Sequence, residues 1–299
     1  MQYSILADAF SRTKFLAIFL ILAASCALSS AGGAAEPEQV AIPPAGRSSL
    51  PAPLIGFVFR PSGSGPSPAV IMLHGCGGAY ARNGGLNARH RMWGEFLAEH
   101  GYVALMLDSF TSRNIKELCT IKIGNRPLKE SERVGDAYAA LEWLRAQQGV
   151  DPARIVLLGW SHGAGVTLDA IAHKPPGMAG VRAAVAFYPD CTARSKRAAG
   201  FHPYAPLLLL IGESDDWTPA APCVALASAV SARGEPMQIV TYPNTYHDFD
   251  NPGIKTAHVR GEVPNGVNPG HGVTTAPNAE ARDDAKLRVL KFFAGSNSR

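Results

Sequence analysis

Residues 154–165 read Arg154-Ile-Val-Leu-Leu-Gly159-Trp-Ser161-His-Gly163-Ala-Gly165. An aliphatic run ends in Gly159-x-Ser161-x-Gly163 and passes into a small, apolar stretch reaching Ala172, the pattern of a strand that breaks sharply into a buried helix. A serine on that turn holds its hydroxyl exposed, and the flanking glycines leave room where the strand and helix backbones crowd it. The spelling is that of a nucleophile elbow, with Ser161 as the nucleophile.

Outward from this point, apolar runs alternate with amphipathic segments. Strands are expected at 54–60, 68–74, 102–108, 154–159, 183–189, 206–212 and 237–242, after a Pro-rich lead-in at 39–53. Helices are expected at 88–100, 130–148, 162–173, 219–233 and 279–294. In the second of these, Val134, Ala137, Tyr138, Leu141 and Leu144 recur at helical spacing, and Gly149 provides the stop. Runs such as Leu207-Leu-Leu-Leu-Ile211 are too uniformly apolar for a half-exposed strand. They imply an α/β, doubly wound, mainly parallel sheet with helices on both faces. Residues 250–277 are rich in Gly, Pro and Asn and show little periodicity, which reads as a loop covering the site.

Ligands in such sheets bind beyond the carboxyl ends of the strands, where this chain places its polar residues. A serine hydroxyl is a weak nucleophile and needs a base, with a carboxylate to fix the base's tautomer. His247, just past the last strand, is the expected base; His202 is a rival, but it precedes a strand and falls at the opposite end of the sheet. Asp215 or Asp216, where the chain leaves the 206–212 strand, can supply the carboxylate. Asp215 is preferred, with Asp216 read as a cap or solvent-facing partner for the helix beginning near Pro219. The order Ser161, Asp215, His247 is that of α/β-hydrolases. Backbone N–H groups of Cys76 and His162 are the expected oxyanion donors, the first from the glycine-rich His74–Gly78 segment. His74 reads as an organiser of that loop, and the Cys76 side chain as a small apolar filler. Trp160 and Trp217 are candidates to line a substrate pocket, as is Phe110.

The 299 residues, 46% hydrophobic and 17% charged, suffice for a large single core without internal repeats. A net charge of +4, dispersed along the chain, argues against nucleic-acid binding. Arg12 and Lys14 precede the uncharged stretch 15–24 and then small residues up to Ala35. That is the pattern of a secretory signal, cleaved after Ala35 to leave a single domain of 264 residues at 36–299 with net charge +3. An uncleaved anchor is the competing reading, although the strongly apolar part is shorter than the ~20 residues a spanning helix needs. A lipoprotein through Cys26 is disfavoured, because Ala23-Ala24-Ser25 matches a lipidation box poorly. Export to the periplasm or the medium, with no stable membrane insertion afterwards, permits disulfides among Cys76, Cys119, Cys191 and Cys223, in any of three connectivities. Cys191 and Cys223 both follow core strands, which makes their pairing one candidate. No Cys-x-x-Cys or close His pair points to a metal.

His74-Gly-Cys-Gly-Gly78, Asp136-Ala-Tyr-Ala-Ala-Leu141, Gly159-Trp-Ser-His-Gly163, Asp215-Asp-Trp-Thr-Pro219 and Tyr242-Pro-x-x-x-His-Asp-Phe249 together resemble the dienelactone hydrolase family, from about Pro53 to Phe293. The resemblance implies a cofactor-free carboxylic-ester hydrolase that passes through an acyl-enzyme on a small-molecule ester. It departs from the family's founding enzymes in carrying Ser161 where they have cysteine. Those enzymes also hold an anionic lactone with two arginines. Arg113 is placed to be the first, while Asn251 stands at the second position. A neutral or singly charged ester is the expected substrate. Two other functions are weighed: a prolyl-peptidase-like serine peptidase, which usually needs a large accessory domain, and a non-catalytic binding protein on a hydrolase scaffold. The intact Ser, Asp and His set weighs against the second.

Overall fold

The strongest local signal, the elbow, falls in the middle of an eight-stranded sheet in the computed structural model, which describes residues 36–44 and 52–297. Its strands are β1 (Glu38–Ile42), β2 (Leu54–Phe59), β3 (Ser67–Leu73), β4 (Val103–Asp108), β5 (Val150–Trp160), β6 (Ala184–Phe187), β7 (Leu207–Gly212) and β8 (Met237–Tyr242). The helices are α1 (Ala88–Glu99), α2 (Glu130–Arg145), α3 (His162–Ala172), the short α4 (Thr192–Ser195), α5 (Ala220–Ser231) and α6 (Ala279–Asn297). The reading of residues 1–35 as a secretory signal lies outside the described residues.

Spatial order is β1-β2-β4-β3-β5-β6-β7-β8, with β4 through β8 parallel and β1 and β2 antiparallel at one edge. The chain goes outward from β3 to β4 and then returns past β3 to β5, so winding reverses between β3 and β5. That reversal opens a crevice at the carboxyl ends of these two strands, and Ser161 and the His74–Gly78 loop leave from there. Every residue of β4, β6 and β7 is buried, as expected of strands covered on both faces. α2 packs on α3 and α4 on α5, while the Lys286 ammonium of α6 sits 4.4 Å over the Phe96 ring of α1.

Besides the unexpected short α4 and an earlier start to β5, two segments differ from the sequence reading. Part of the Pro-rich lead-in forms β1, an edge strand of five residues paired in register from Glu38↔Val58 to Ile42↔Leu54. Within 250–277, β9 (His258–Arg260) and β10 (Val273–Thr275) make a two-stranded antiparallel ribbon. Three-residue strands carry too little alternation to stand out from their Gly- and Pro-rich surroundings.

Candidate active site

Ser161 occupies the turn between β5 and α3 with φ 51° and ψ −116°, a conformation that L-residues avoid unless the surroundings enforce it. Here the enforcement is backbone: Ser161 N–H donates to the Phe187 carbonyl at 2.9 Å, and the Ser161 carbonyl accepts from Gly165 N–H at 2.9 Å. The glycines are obligatory for space. A Cβ at Gly159 would stand 2.3 Å from the Gly163 carbonyl oxygen, and one at Gly163 would stand 2.1 Å from that of Leu73.

The carboxylate bonded to His247 is Asp215. Its Oδ1 accepts the N–H groups of Trp217 (2.9 Å) and Thr218 (2.8 Å), which fixes the side chain, and its Oδ2 receives Nδ1–H of His247 at 2.7 Å. Both residues are buried. The imidazole packs against the rings of Tyr188 (4.4 Å) and Trp217 (4.7 Å). Burial alone would lower the His247 pKa, but the charge and hydrogen bond of Asp215 outweigh it and the net shift is upward. With Nδ1 committed to Asp215, Nε2 is the nitrogen free to take a proton. No hydrogen bond joins His247 to the Ser161 hydroxyl among the described residues; contacts of this kind often tighten only when substrate is bound.

Asp216 does not cap α5 as expected. It accepts from the N–H (2.7 Å) and hydroxyl (2.8 Å) of Thr274 and so ties β10 to the rim of the site. His202 is exposed and bonded to Glu235, away from the site.

On the oxyanion side, the amide N–H groups of Cys76 and His162 donate to no acceptor among the described residues, which leaves both available. The reading of the Cys76 side chain as an apolar filler is corrected: it forms a disulfide with Cys119. Cys191 and Cys223 make the second. His74 organises the loop, as its sequence position suggests. Its Nδ1 donates to the Gly75 carbonyl (2.8 Å), its Nε2 accepts from Ser109 N–H (3.1 Å), and burial holds it neutral.

Arg133, on α2, is a residue the sequence reading passed over. It is wholly buried, and its guanidinium reaches His162 Nδ1 (2.8 Å) and the His74 carbonyl (3.0 Å), spanning the two segments that carry the candidate oxyanion donors. Its helix gave little hint, since Arg133 is flanked at i−3 and i+3 by Glu130 and Asp136 and reads as one charge among several.

A cavity of about 620 Å³ opens over Ser161, lined also by Cys76, His162, Leu128, Trp217 and Thr218. Asn265–Val267 close one side, so the part of 250–277 that reaches the site is short. Trp217 lines this cavity. Two other substrate-binding expectations are overturned. Arg113 is engaged by Asp136 through both terminal nitrogens (2.9 and 2.8 Å) and by the Ser109 carbonyl, and it does not line this cavity. Trp160 is fully buried; its Nε1–H donates to Asp250 (2.8 Å) and its ring packs against Trp93 and Phe187. In both cases a distant carboxylate claims the side chain.

A family model described as the dienelactone hydrolase family matches residues 54–296. An uncharacterized protein of Mycobacterium tuberculosis strain H37Rv is 30% identical over 212 residues, covering 64% of this chain and 67% of that protein. The crystal structure of a "Putative Dienelactone Hydrolase" from Klebsiella pneumoniae subsp. pneumoniae MGH 78578 superposes with a TM-score of 0.65 at 21% identity, over 86% of this chain and 97% of that one. Esterase 2 of Thermogutta terrifontis, phosphorylated by paraoxon, gives 0.58 at 19% identity, over 86% and 93%. At these identities the two structures speak for the fold alone.

Proposed function

The chain belongs to the dienelactone hydrolase family, and from that premise we propose that it is a serine-dependent carboxylic-ester hydrolase working through an acyl-enzyme. The observation that supports this most is the 2.7 Å hydrogen bond from His247 to Asp215 at the same rim as the strained elbow serine.

In this reading Ser161 Oγ attacks the ester carbonyl while His247 Nε2 takes its proton, and Asp215 stabilises the imidazolium. The oxyanion that develops is held by the N–H groups of Cys76 and His162; losing one such donor typically costs about 10²- to 10³-fold in kcat. His247 then returns the proton to the departing alcohol. Water, deprotonated by the same imidazole, attacks the acyl-enzyme and releases the acid.

The committed state of Arg113 and the presence of Asn251 disfavour a dianion held by paired arginines, and a neutral or singly charged small ester fits the cavity better. The apolar run ahead of Ala35, together with two disulfides, supports export with a mature chain starting at Glu36.

Release of p-nitrophenol from a short-chain ester tests the proposal. Ser161→Ala is expected to lower kcat by at least roughly ten-thousandfold with the circular-dichroism spectrum unchanged. Undiminished turnover by a folded Ser161→Ala chain would refute it.

A further inference from the structure

The side chain of His162, next to the nucleophile, has its proton placed by a neighbour. Arg133 Nη1 lies 2.8 Å from His162 Nδ1. A guanidinium has five N–H donors and no acceptor, so Nδ1 must be the acceptor and the ring's single proton sits on Nε2. Arg133 is in turn held by the His74 carbonyl (3.0 Å) and lies over the Phe110 ring (5.1 Å), so it has little freedom to turn away. Burial pulls its pKa down to about 10, which still leaves it charged at neutral pH.

The charges that act most on His162 are cations, Arg133 from α2, Arg126 from the segment before it and Arg194 from α4, with the neutral His74 beside them; the carboxylates Glu130, Asp169 and Asp190 line the same cavity, the first two paired with Arg194. Asp136, Glu130 and Asp108 act on Arg133, with Arg113 opposing them. Burial, and after it these cations, hold the His162 pKa well below 6.5. A proton on Nδ1 would also point at the guanidinium. His162 lines the cavity beside Ser161, and its Nε2 makes no hydrogen bond among the described residues yet is not among the fully buried unpartnered atoms.

We infer that Nε2–H of His162 is a fixed, uncharged hydrogen-bond donor to the substrate. It selects esters that carry a second acceptor oxygen, such as an ether or hydroxyl oxygen, near the scissile group. The inference rests on the esterase reading for its substrate and on the Arg133 contact for its chemistry. The backbone N–H of His162 and its ring are separate donors, so substituting the ring leaves the amide in place.

Two measurements test it. Histidine ¹⁵N NMR of the wild-type protein should show His162 as the Nε2–H tautomer with no titration between pH 8 and 5. A proton on Nδ1, or an ionisation near 6.5, would overturn the inference whether or not the protein is an esterase.

The second uses isosteric pairs in which one CH₂ is replaced by oxygen: p-nitrophenyl methoxyacetate against butyrate for the acyl side, and 2-methoxyethyl against butyl acetate for the alcohol side. His162→Asn keeps an acceptor for Arg133 but is too short to place a donor at the Nε2 position, whereas His162→Gln keeps a donor near it. In one pair, the wild-type preference in kcat/KM for the ether member should fall about tenfold in His162→Asn, the worth of one neutral hydrogen bond, and return in His162→Gln. Loss in either pair supports the inference and names the side of the ester. Unchanged ratios in both pairs overturn it while leaving the esterase reading standing, and that reading fails separately if Ser161→Ala keeps its turnover.

Discussion

His247 lies where two influences oppose each other: burial favours its neutral form, and the Asp215 carboxylate favours its cation and prevails. As a general base the ring must be neutral, so kcat/KM should fall as pH drops through an inflection above 6.5. Asp215→Asn removes the main raising influence and leaves the weaker one of Asp248 against burial and the Arg89 charge, both of which lower the pKa. The inflection should then shift to lower pH, with kcat reduced roughly ten-thousandfold because the tautomer is no longer fixed. A pH–rate profile of the variant checks both, and an acid limb that stays in place would disconnect Asp215 from the base. Of the residues read from sequence, the proposed set Ser161, Asp215 and His247 was legible because a serine hydrolase needs these residue types past strand ends, here those of β5, β7 and β8, in a fixed chain order. Arg113 and Trp160 were misread because nearness to a strand end says nothing about which partner holds a side chain. Asp136 claims the first and Asp250 the second, 23 and 90 residues away. Arg133 left almost no trace, since its role comes from where α2 packs.

Elements carry the site as well as individual residues. The Cys76–Cys119 bridge joins the His74–Gly78 loop to the segment after β4 across 43 residues. Cutting it with Cys119→Ser should cost about 2–4 kcal/mol of stability in urea unfolding. Because the Cys76 N–H is a proposed oxyanion donor, kcat should also fall, by about ten- to a hundredfold with KM nearly unchanged. A stability loss with kcat intact would make the bridge purely structural. Behind the base, the loop that carries it is fixed by a buried network. Asp250 accepts from Trp93 and Trp160 (2.8 Å each) and from the Tyr188 hydroxyl, and Arg89 pairs with Asp248. The central strands and long helices could be read from sequence because their burial imposes an unbroken or periodic apolar pattern. β1, β9 and β10 could not, because an edge strand and a three-residue ribbon need no such pattern. Disulfide pairing was undetermined for a different reason: it depends on which strand ends meet in space.

At the scale of the molecule, the reversal of winding between β3 and β5 accounts for the site's location: it opens the crevice that the His74–Gly78 loop and the elbow both enter. The apolar stretch 15–24 and the two disulfides support export. Protein recovered from the periplasmic fraction or the medium should therefore begin at Glu36 by N-terminal mass analysis; an intact Met1 would refute cleavage. The account as a whole depends on Ser161 being a nucleophile that the fold activates. Its most direct test is intact-mass analysis after treatment with a fluorophosphonate, followed by mapping of the modified peptide. One adduct on the peptide containing Ser161, absent from Ser161→Ala, is the predicted result. A folded, unlabelled wild-type chain, or an adduct on any other residue, would contradict it.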